Sequence, residues 1–298
     1  MNTTRIQLMG LRVTIDIFSG RPNPVIELDQ NETEIALSRL RPVRRLRSKE
    51  PRLPREPTLG YRGLIIEQSE AARGLPRLFR YANGDMFGEG LAHRAKDADF
   101  EAFVLEHTSL QRQSLGTDFP KFLTNEIARF ESLRSHYKER HPKWPKRERC
   151  RCAPLYEPGW WNDAGQKQYN NNCYNYSTNY RTDTFAQPGR AAGAEYTAFS
   201  CTSVKPAAVA DDLIDSPNAN NRCPKEGHLV ALVIAPGWDF HWYRKGRNGY
   251  WSHKPGGTPV TNVDNSGNTI PDPRTANRGP YTNFCTFMVV MHGHIKIN

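Results

Sequence analysis

One cysteine of the chain, Cys173, ends a polar run and begins a stretch with near-helical spacing. Three asparagines precede it, and Tyr174, Asn175 and Tyr176 follow it. A cysteine in the first turn of a helix lies beside free backbone N–H groups and the positive end of the helix dipole, and both lower the thiol pKa. Because the thiolate is the attacking species, the position predicts a nucleophile. The alternative for a lone cysteine is a small buried apolar side chain.

A nucleophilic thiol needs a base, and histidines follow Cys173 in a segment with sheet-like patterning. Three antiparallel strands are predicted, at 228–237, 239–244 and 250–254. Residues 245–249 close a hairpin between the last two, because Asn-Gly is a strong turn signal. His241 and His253 lie on the two arms of this hairpin, so we expect their side chains to meet across the ladder.

These positions predict a cysteine–histidine–histidine site. We expect His241 to act as general base, and a neutral His253 to accept a hydrogen bond from it and fix its tautomer. The assignment of the base stays open, since His228 begins the first strand and is a second candidate. Three further residues could orient the base in place of His253, namely Asp239, Asp264 and Asn265.

Stabilisation of a developing oxyanion is the remaining requirement of such chemistry. The backbone N–H of Cys173 is the expected first donor. The sequence offers several side chains for a second donor: Gln166, Gln168 and the asparagines 170–172.

A cysteine on a helix followed by histidines on a hairpin resembles the papain-like cysteine peptidases and amidases of the NlpC/P60 and CHAP group. The resemblance covers roughly residues 150–298. It implies a papain-like domain, in which an antiparallel sheet packs on the helix that carries the nucleophile. It also implies Cys173 as nucleophile, His241 as base and His253 as third residue, acting on a peptide or amide bond, with peptidoglycan as the family's substrate. The same fold hosts effectors and toxins that act on protein or lipid.

The elements that must position these residues define an α+β protein. A small accessory or targeting α+β domain is predicted for 1–145 and the hydrolase domain for 146–298. Strands are predicted at 11–18, 25–28, 60–67, 78–82 and 281–291, and helices at 31–40, 97–106, 119–137 and 204–214. Asn31 is the expected cap of the first helix. Residues 19–24, Ser-Gly-Arg-Pro-Asn-Pro, are predicted as a rigid turn, with a recognition loop as the alternative.

The chain is basic, with a net charge of +10 among 298 residues. Basic clusters at 41–55 and 138–151 are interpreted as a solvated loop and a linker. The charge suits an anionic surface, and a non-catalytic polyanion-binding protein is the alternative to an enzyme. Nucleic acid is not the expected partner, because no known RNA- or DNA-binding signature is visible. No run is long and apolar enough for a membrane span, and no signal peptide is visible at 1–10.

Six cysteines leave the redox state open. Cys150-Arg-Cys152 lacks zinc-knuckle spacing, so no metal site is expected. No cofactor is expected either, since no phosphate-binding loop is present. A disulfide of Cys152 with Cys201 or Cys223 is considered, and Cys285 is interpreted as a buried strand residue.

Overall fold

A computed structural model describes residues 10–47, 57–71, 73–110, 116–136 and 148–298. The chain divides into two compact units. The first is drawn from Met1–Ile17, Asn23–Leu53 and Tyr61–Arg134, and the second from Phe18–Pro22, Pro54–Gly60 and Ser135–Asn298. Each unit combines helices with an antiparallel sheet, which confirms the predicted α+β class.

The first unit is built on a seven-stranded antiparallel sheet of order β2-β1-β4-β5-β6-β7-β3. Its strands are β1 (Leu11–Ile15), β2 (Val25–Leu28), β3 (Pro42–Arg45), β4 (Leu64–Gln68), β5 (Leu78–Ala82), β6 (Asp85–Gly88) and β7 (Leu91–Ala95). Its helices are α1 (Gln30–Arg39), α2 (Phe100–Leu110) and α3 (Phe119–His136). The strands β6 and β7 were not predicted from the sequence.

Local chemistry explains the start of α1. The cap is Asp29, not the predicted Asn31: the Asp29 side chain accepts from the Glu32 backbone N–H at 2.8 Å, and the Glu32 side chain accepts from the Asp29 N–H at 2.9 Å. This reciprocal pair satisfies two N–H groups that the helix leaves open. Asp29 caps the helix instead of Asn31 because Glu32, three residues after it, completes the reciprocal pair.

Part of the predicted basic loop is a strand. Pro42–Arg45 pairs with β7 and is mostly exposed, so its side chains show no apolar alternation. The remainder of that loop from residue 48 to 55 lies outside the described residues. So do residues 137–147, which hold most of the predicted basic linker.

The second unit contains a five-stranded antiparallel sheet of order β11-β10-β9-β12-β8. Its strands are β8 (Ile214–Asp215), β9 (His228–Ala235), β10 (Asp239–Lys245), β11 (Trp251–His253) and β12 (Asn283–Val290). Its helices are α4 (Gln166–Tyr169), α5 (Cys173–Thr178) and α6 (Cys201–Ala210), with 3-10 turns at Pro158–Trp160 and Pro217–Ala219. The three consecutive strands predicted after Cys173 are therefore present.

The central strand β9 is buried on both faces. Val230, Leu232 and Ile234 share one cluster with Cys173 and Tyr174 of α5. The alternate residues of β9 join a second cluster that consists of Leu229, Ala231, Val233, Tyr243, Trp251 and Phe287, among others. A strand that is buried on both faces has a continuous run of apolar residues in its sequence. Here one face of β9 packs against α5.

Four cysteines form two disulfides, Cys150–Cys223 and Cys201–Cys285. The pairing considered for Cys152 is wrong, because Cys152 is a free, exposed thiol. The second disulfide joins the start of α6 to β12, so Cys285 is a cross-link and not simply a core residue. Such bonds persist in oxidising surroundings. Among the described helices, none has both the length and the apolar character to cross a membrane.

Candidate functional site

Cys173 is the first residue of α5, as the sequence predicted. Asn172 caps this helix: its side-chain oxygen accepts from the N–H groups of Tyr174 at 3.0 Å and Asn175 at 3.2 Å. The Asn175 side chain accepts from the Asn172 N–H in return, at 3.1 Å. The asparagine run before the cysteine thus starts the helix at this residue.

The Cys173 thiol is fully buried. The side chain of Ser19 and the backbone of Trp242 hydrogen-bond to it. Burial raises the pKa of the thiol far above its usual range, and the nearby charge of Asp239 raises it further. The lowered thiol pKa expected at a helix start is therefore not found in this arrangement, because desolvation outweighs the hydrogen bonds.

The structure brings the two predicted histidines together. His241 Nε2 lies 2.9 Å from His253 Nδ1, and the two rings meet edge to face with centroids 4.9 Å apart. Their register differs from a direct cross-strand pair, since Tyr243 lies opposite His253. His241 and His253 are diagonal neighbours, a separation that two imidazoles can bridge.

Hydrogen bonds define the tautomers of this pair. His253 Nε2 lies 3.0 Å from the carbonyl oxygen of Val263, which only accepts, so this nitrogen carries a hydrogen. Burial lowers the pKa of His253 to about 4, which keeps the ring neutral at neutral pH. Its Nδ1 therefore accepts from His241 Nε2–H. The other ring nitrogen of His241, Nδ1, lies 2.6 Å from Ser19 Oγ.

Ser19 belongs to the segment Phe18–Pro22, which forms part of the second unit. The backbone N–H groups of Ser19, Gly20 and Arg21 all donate to the carboxylate of Asp239, and Tyr281 Oη–H donates to it at 2.6 Å. Asp239 was a candidate for orienting His241. The structure shows it holding Ser19–Arg21 over Cys173 and His241.

The remaining candidates for the base and its orienting residue lie in different environments. His228 Nε2 donates to the Ser177 carbonyl at 2.7 Å, and burial lowers the pKa of His228 to about 3. Asp264 accepts from the N–H groups of a turn that follows it. Asn265 exchanges hydrogen bonds with the backbone of Leu59. Each of these residues has a structural role that its bonds explain.

Two side-chain amides share the Gly20 carbonyl as acceptor, and both also donate to the Ala186 carbonyl, at 2.8 and 3.1 Å. Asn172 Nδ2 and Gln187 Nε2 each donate to the Gly20 carbonyl oxygen at 2.8 Å. Asn172 was one of the predicted oxyanion donors, whereas Gln187 was missed. The candidate Gln168 donates to the Gly257 carbonyl instead, at 3.4 Å.

A buried lysine, also missed from the sequence, supports the polar run. Lys254 follows His253 and donates from Nζ to the carbonyl oxygens of Gln168, Asn171 and Gly256, at 2.6, 2.5 and 2.7 Å. These bonds tie the end of β11 to the residues just before Cys173. Among the described residues, no group of three or more His, Cys, Asp or Glu side chains is placed to hold a metal ion.

Fold and site together define an α+β protein in which a buried cysteine and two bonded histidines lie on one antiparallel sheet and its helix. Over 142 residues the chain is 47% identical to insoluble matrix shell protein 1 of Ruditapes philippinarum, a match that spans 47% of this chain and 91% of that protein. The chain therefore belongs to the family of that protein. No protein-family model and no solved structure matches it.

Proposed function

We propose that the second unit is a papain-like cysteine hydrolase that cleaves a peptide or amide bond. Cys173 is its nucleophile, His241 its general base and His253 the residue that orients the base. One observation carries the proposal: consecutive hydrogen bonds link the Val263 carbonyl, His253, His241 and the Ser19 hydroxyl, which also bonds the Cys173 thiol.

This series of hydrogen bonds gives the thiol proton of Cys173 a route to His241. The Cys173 proton moves to Ser19 Oγ as the Ser19 proton moves to His241 Nδ1, and the thiolate attacks the carbonyl carbon. His241 then gives its proton to the leaving amine, and water releases the acyl group in a second step. His253 stays neutral and keeps His241 Nε2 protonated throughout.

The test is hydrolysis by the full chain of a panel of peptides, peptidoglycan fragments, proteins and phospholipids, read by mass spectrometry. This panel also separates a peptidase or amidase from an effector that acts on protein or lipid. Cys173→Ala and His241→Ala are expected to lose all turnover. Cys152→Ala is the matched control, because Cys152 is the other free thiol and is exposed. Full activity of Cys173→Ala, or no product from any panel member, would end the proposal.

A second candidate function rests on the family. The relative is named as an insoluble matrix shell protein, and the present chain is basic with two disulfides. A non-catalytic matrix component that binds acidic polymers fits these features. It predicts retention on poly-aspartate at low salt, with steep loss as salt rises, in wild type and Cys173→Ala alike. Failure to bind at low salt would remove this candidate.

A further inference from the structure

The segment Phe18–Pro22, called here the covering segment, is bound by the second unit in the manner of a peptide ligand. The strands on either side of it in the chain, β1 and β2, belong to the first unit. The covering segment hydrogen-bonds to His241 itself, to Asp239 on the same strand, and to Asn172, which precedes Cys173.

The backbone N–H groups of the covering segment are directed to one carboxylate. Ser19 N and Gly20 N lie 2.5 and 3.1 Å from Asp239 Oδ2, and Arg21 N lies 3.0 Å from Asp239 Oδ1. Consecutive backbone N–H groups around an anion form a compact binding motif. Since Asp239 stands two residues before His241 on β10, this motif fixes the segment beside the base.

The carbonyl group of Gly20 is held as a reacting carbonyl would be. Asn172 and Gln187 donate to its oxygen from two side-chain amides, each at 2.8 Å. Amide donors that converge on one oxygen next to a nucleophile have the arrangement of an oxyanion hole. Asn172 is the residue immediately before Cys173, so this oxygen site is adjacent to the thiol in the chain.

The position of Gly20 has no room for a side chain. A Cβ atom there would lie 2.5 Å from a ring carbon of Phe240 and 2.6 Å from its carbonyl oxygen.

The next residue, Arg21, is bound through its side chain. The Arg21 guanidinium lies over the rings of Phe18 and Phe199, at 4.6 and 4.8 Å from their centroids, and donates to the Trp238 carbonyl at 3.4 Å. Aromatic faces attract such a cation.

We propose that the covering segment is a substrate-like occupant of the Cys173 cleft, and that the cleft takes polypeptides with glycine followed by arginine. Asn172 and Gln187 hold the glycine carbonyl, Phe240 excludes larger residues, and Phe199 and the Trp238 carbonyl receive the arginine. The occupant competes with substrate for the cleft, so turnover by the wild-type chain comes from the population in which the segment has left it. The substrate class rests on the proposed hydrolase function, whereas the occupancy does not.

Occupancy is tested by the alkylation rate of Cys173 with iodoacetamide on the full chain, read by mass spectrometry. The exposed thiol of Cys152 is the internal standard. Gly20→Ala displaces the segment, and the rate at Cys173 is expected to rise about tenfold or more, because a buried group reacts through its open population. Arg21→Ala, which removes no backbone contact, gives a smaller rise. Gly159→Ala is the control, since a Cβ there meets nothing within 4 Å.

A synthetic peptide with the sequence of residues 17–24 separates displacement from misfolding. Added to Gly20→Ala, it is expected to slow alkylation of Cys173 again, and the same peptide with alanine at the glycine is not. An unchanged rate in Gly20→Ala, or no protection by the peptide, overturns the occupancy. The Gly20→Ala protein is then offered Gly-Arg and Ala-Arg peptides. Protection without cleavage of either would leave the occupancy standing and reject the hydrolase, whereas equal cleavage of both would reject the specificity.

Discussion

Burial of neutral histidines makes the stability of the second unit depend on pH, and His228 gives the cleanest test. Its pKa is about 3 in the folded chain against an ordinary value of 6.5. Between these values the unfolded chain binds one proton more than the folded chain. The contribution of neutral His228 to the free energy of unfolding is therefore fully present above pH 6.5 and is lost as pH falls towards 3.

The magnitude follows from the size of the pKa difference. A difference of about 3.5 pH units at about 1.4 kcal/mol each amounts to about 5 kcal/mol for His228. Between pH 5 and 6 the contribution changes by about 1.2 kcal/mol, because the histidine of the unfolded chain is only partly protonated there. His253, with a pKa of about 4, contributes about 3 kcal/mol in the same direction.

The assay compares the urea unfolding of wild type with that of His228→Gln between pH 4.5 and 7.5. Tryptophan fluorescence reports on the second unit, because all six tryptophans of the chain lie in residues 144–251. Glutamine has a donor for the Ser177 carbonyl but does not titrate. Carboxyl groups with a raised pKa, such as Glu126 at about 6, act in the opposite direction but are present in both proteins. Equal pH slopes in the two proteins would refute the reasoning.

Two further predictions concern the frame around the site. Gly227→Ala should lower the free energy of unfolding by about 1–3 kcal/mol more than Gly237→Ala. Both glycines have positive φ, so the backbone strain is similar. A Cβ atom at Gly227 would overlap the Val290 carbonyl oxygen, whereas one at Gly237 meets nothing within 4 Å. Equal losses in urea unfolding would contradict this. Replacing Cys201 and Cys285 together by alanine should cost about 4 kcal/mol, because their bond closes a loop of 84 residues; an unchanged urea midpoint would speak against it.

Local patterns were sufficient to predict much of the second sheet. The continuous apolar run of β9 and the Asn248-Gly249 turn predicted the three strands that the structure contains. The proximity of His241 and His253 followed from the hairpin. Their diagonal register did not, because register depends on how the loop at 245–249 is closed.

Long-range contacts could not be predicted in this way. Ser19 and Asp239 are 220 residues apart in the chain, and only the folded structure brings them together. The density of glycine and proline in residues 19–24 predicted a rigid turn and left recognition as an alternative, without showing what the turn contacts. Disulfide partners were equally hidden, because the positions of six cysteines in a sequence do not determine how they connect. The edge strand at Pro42–Arg45 was not predicted, because its mostly exposed side chains show no apolar alternation.

The burial of Cys173, His241 and His253 offers a way to separate the two proposed functions. Cys173, His241 and His253 are all fully buried, and buried imidazoles stabilise a fold less well than apolar groups of the same size. The proposed hydrolase function accounts for that cost, because it needs a nucleophile and its base at this position. Cys173→Ala separates the two roles: it removes one sulfur atom and should change the free energy of unfolding by about 1 kcal/mol, while turnover disappears. A structural thiol would give the reverse, with several kcal/mol lost in urea unfolding and no activity to lose.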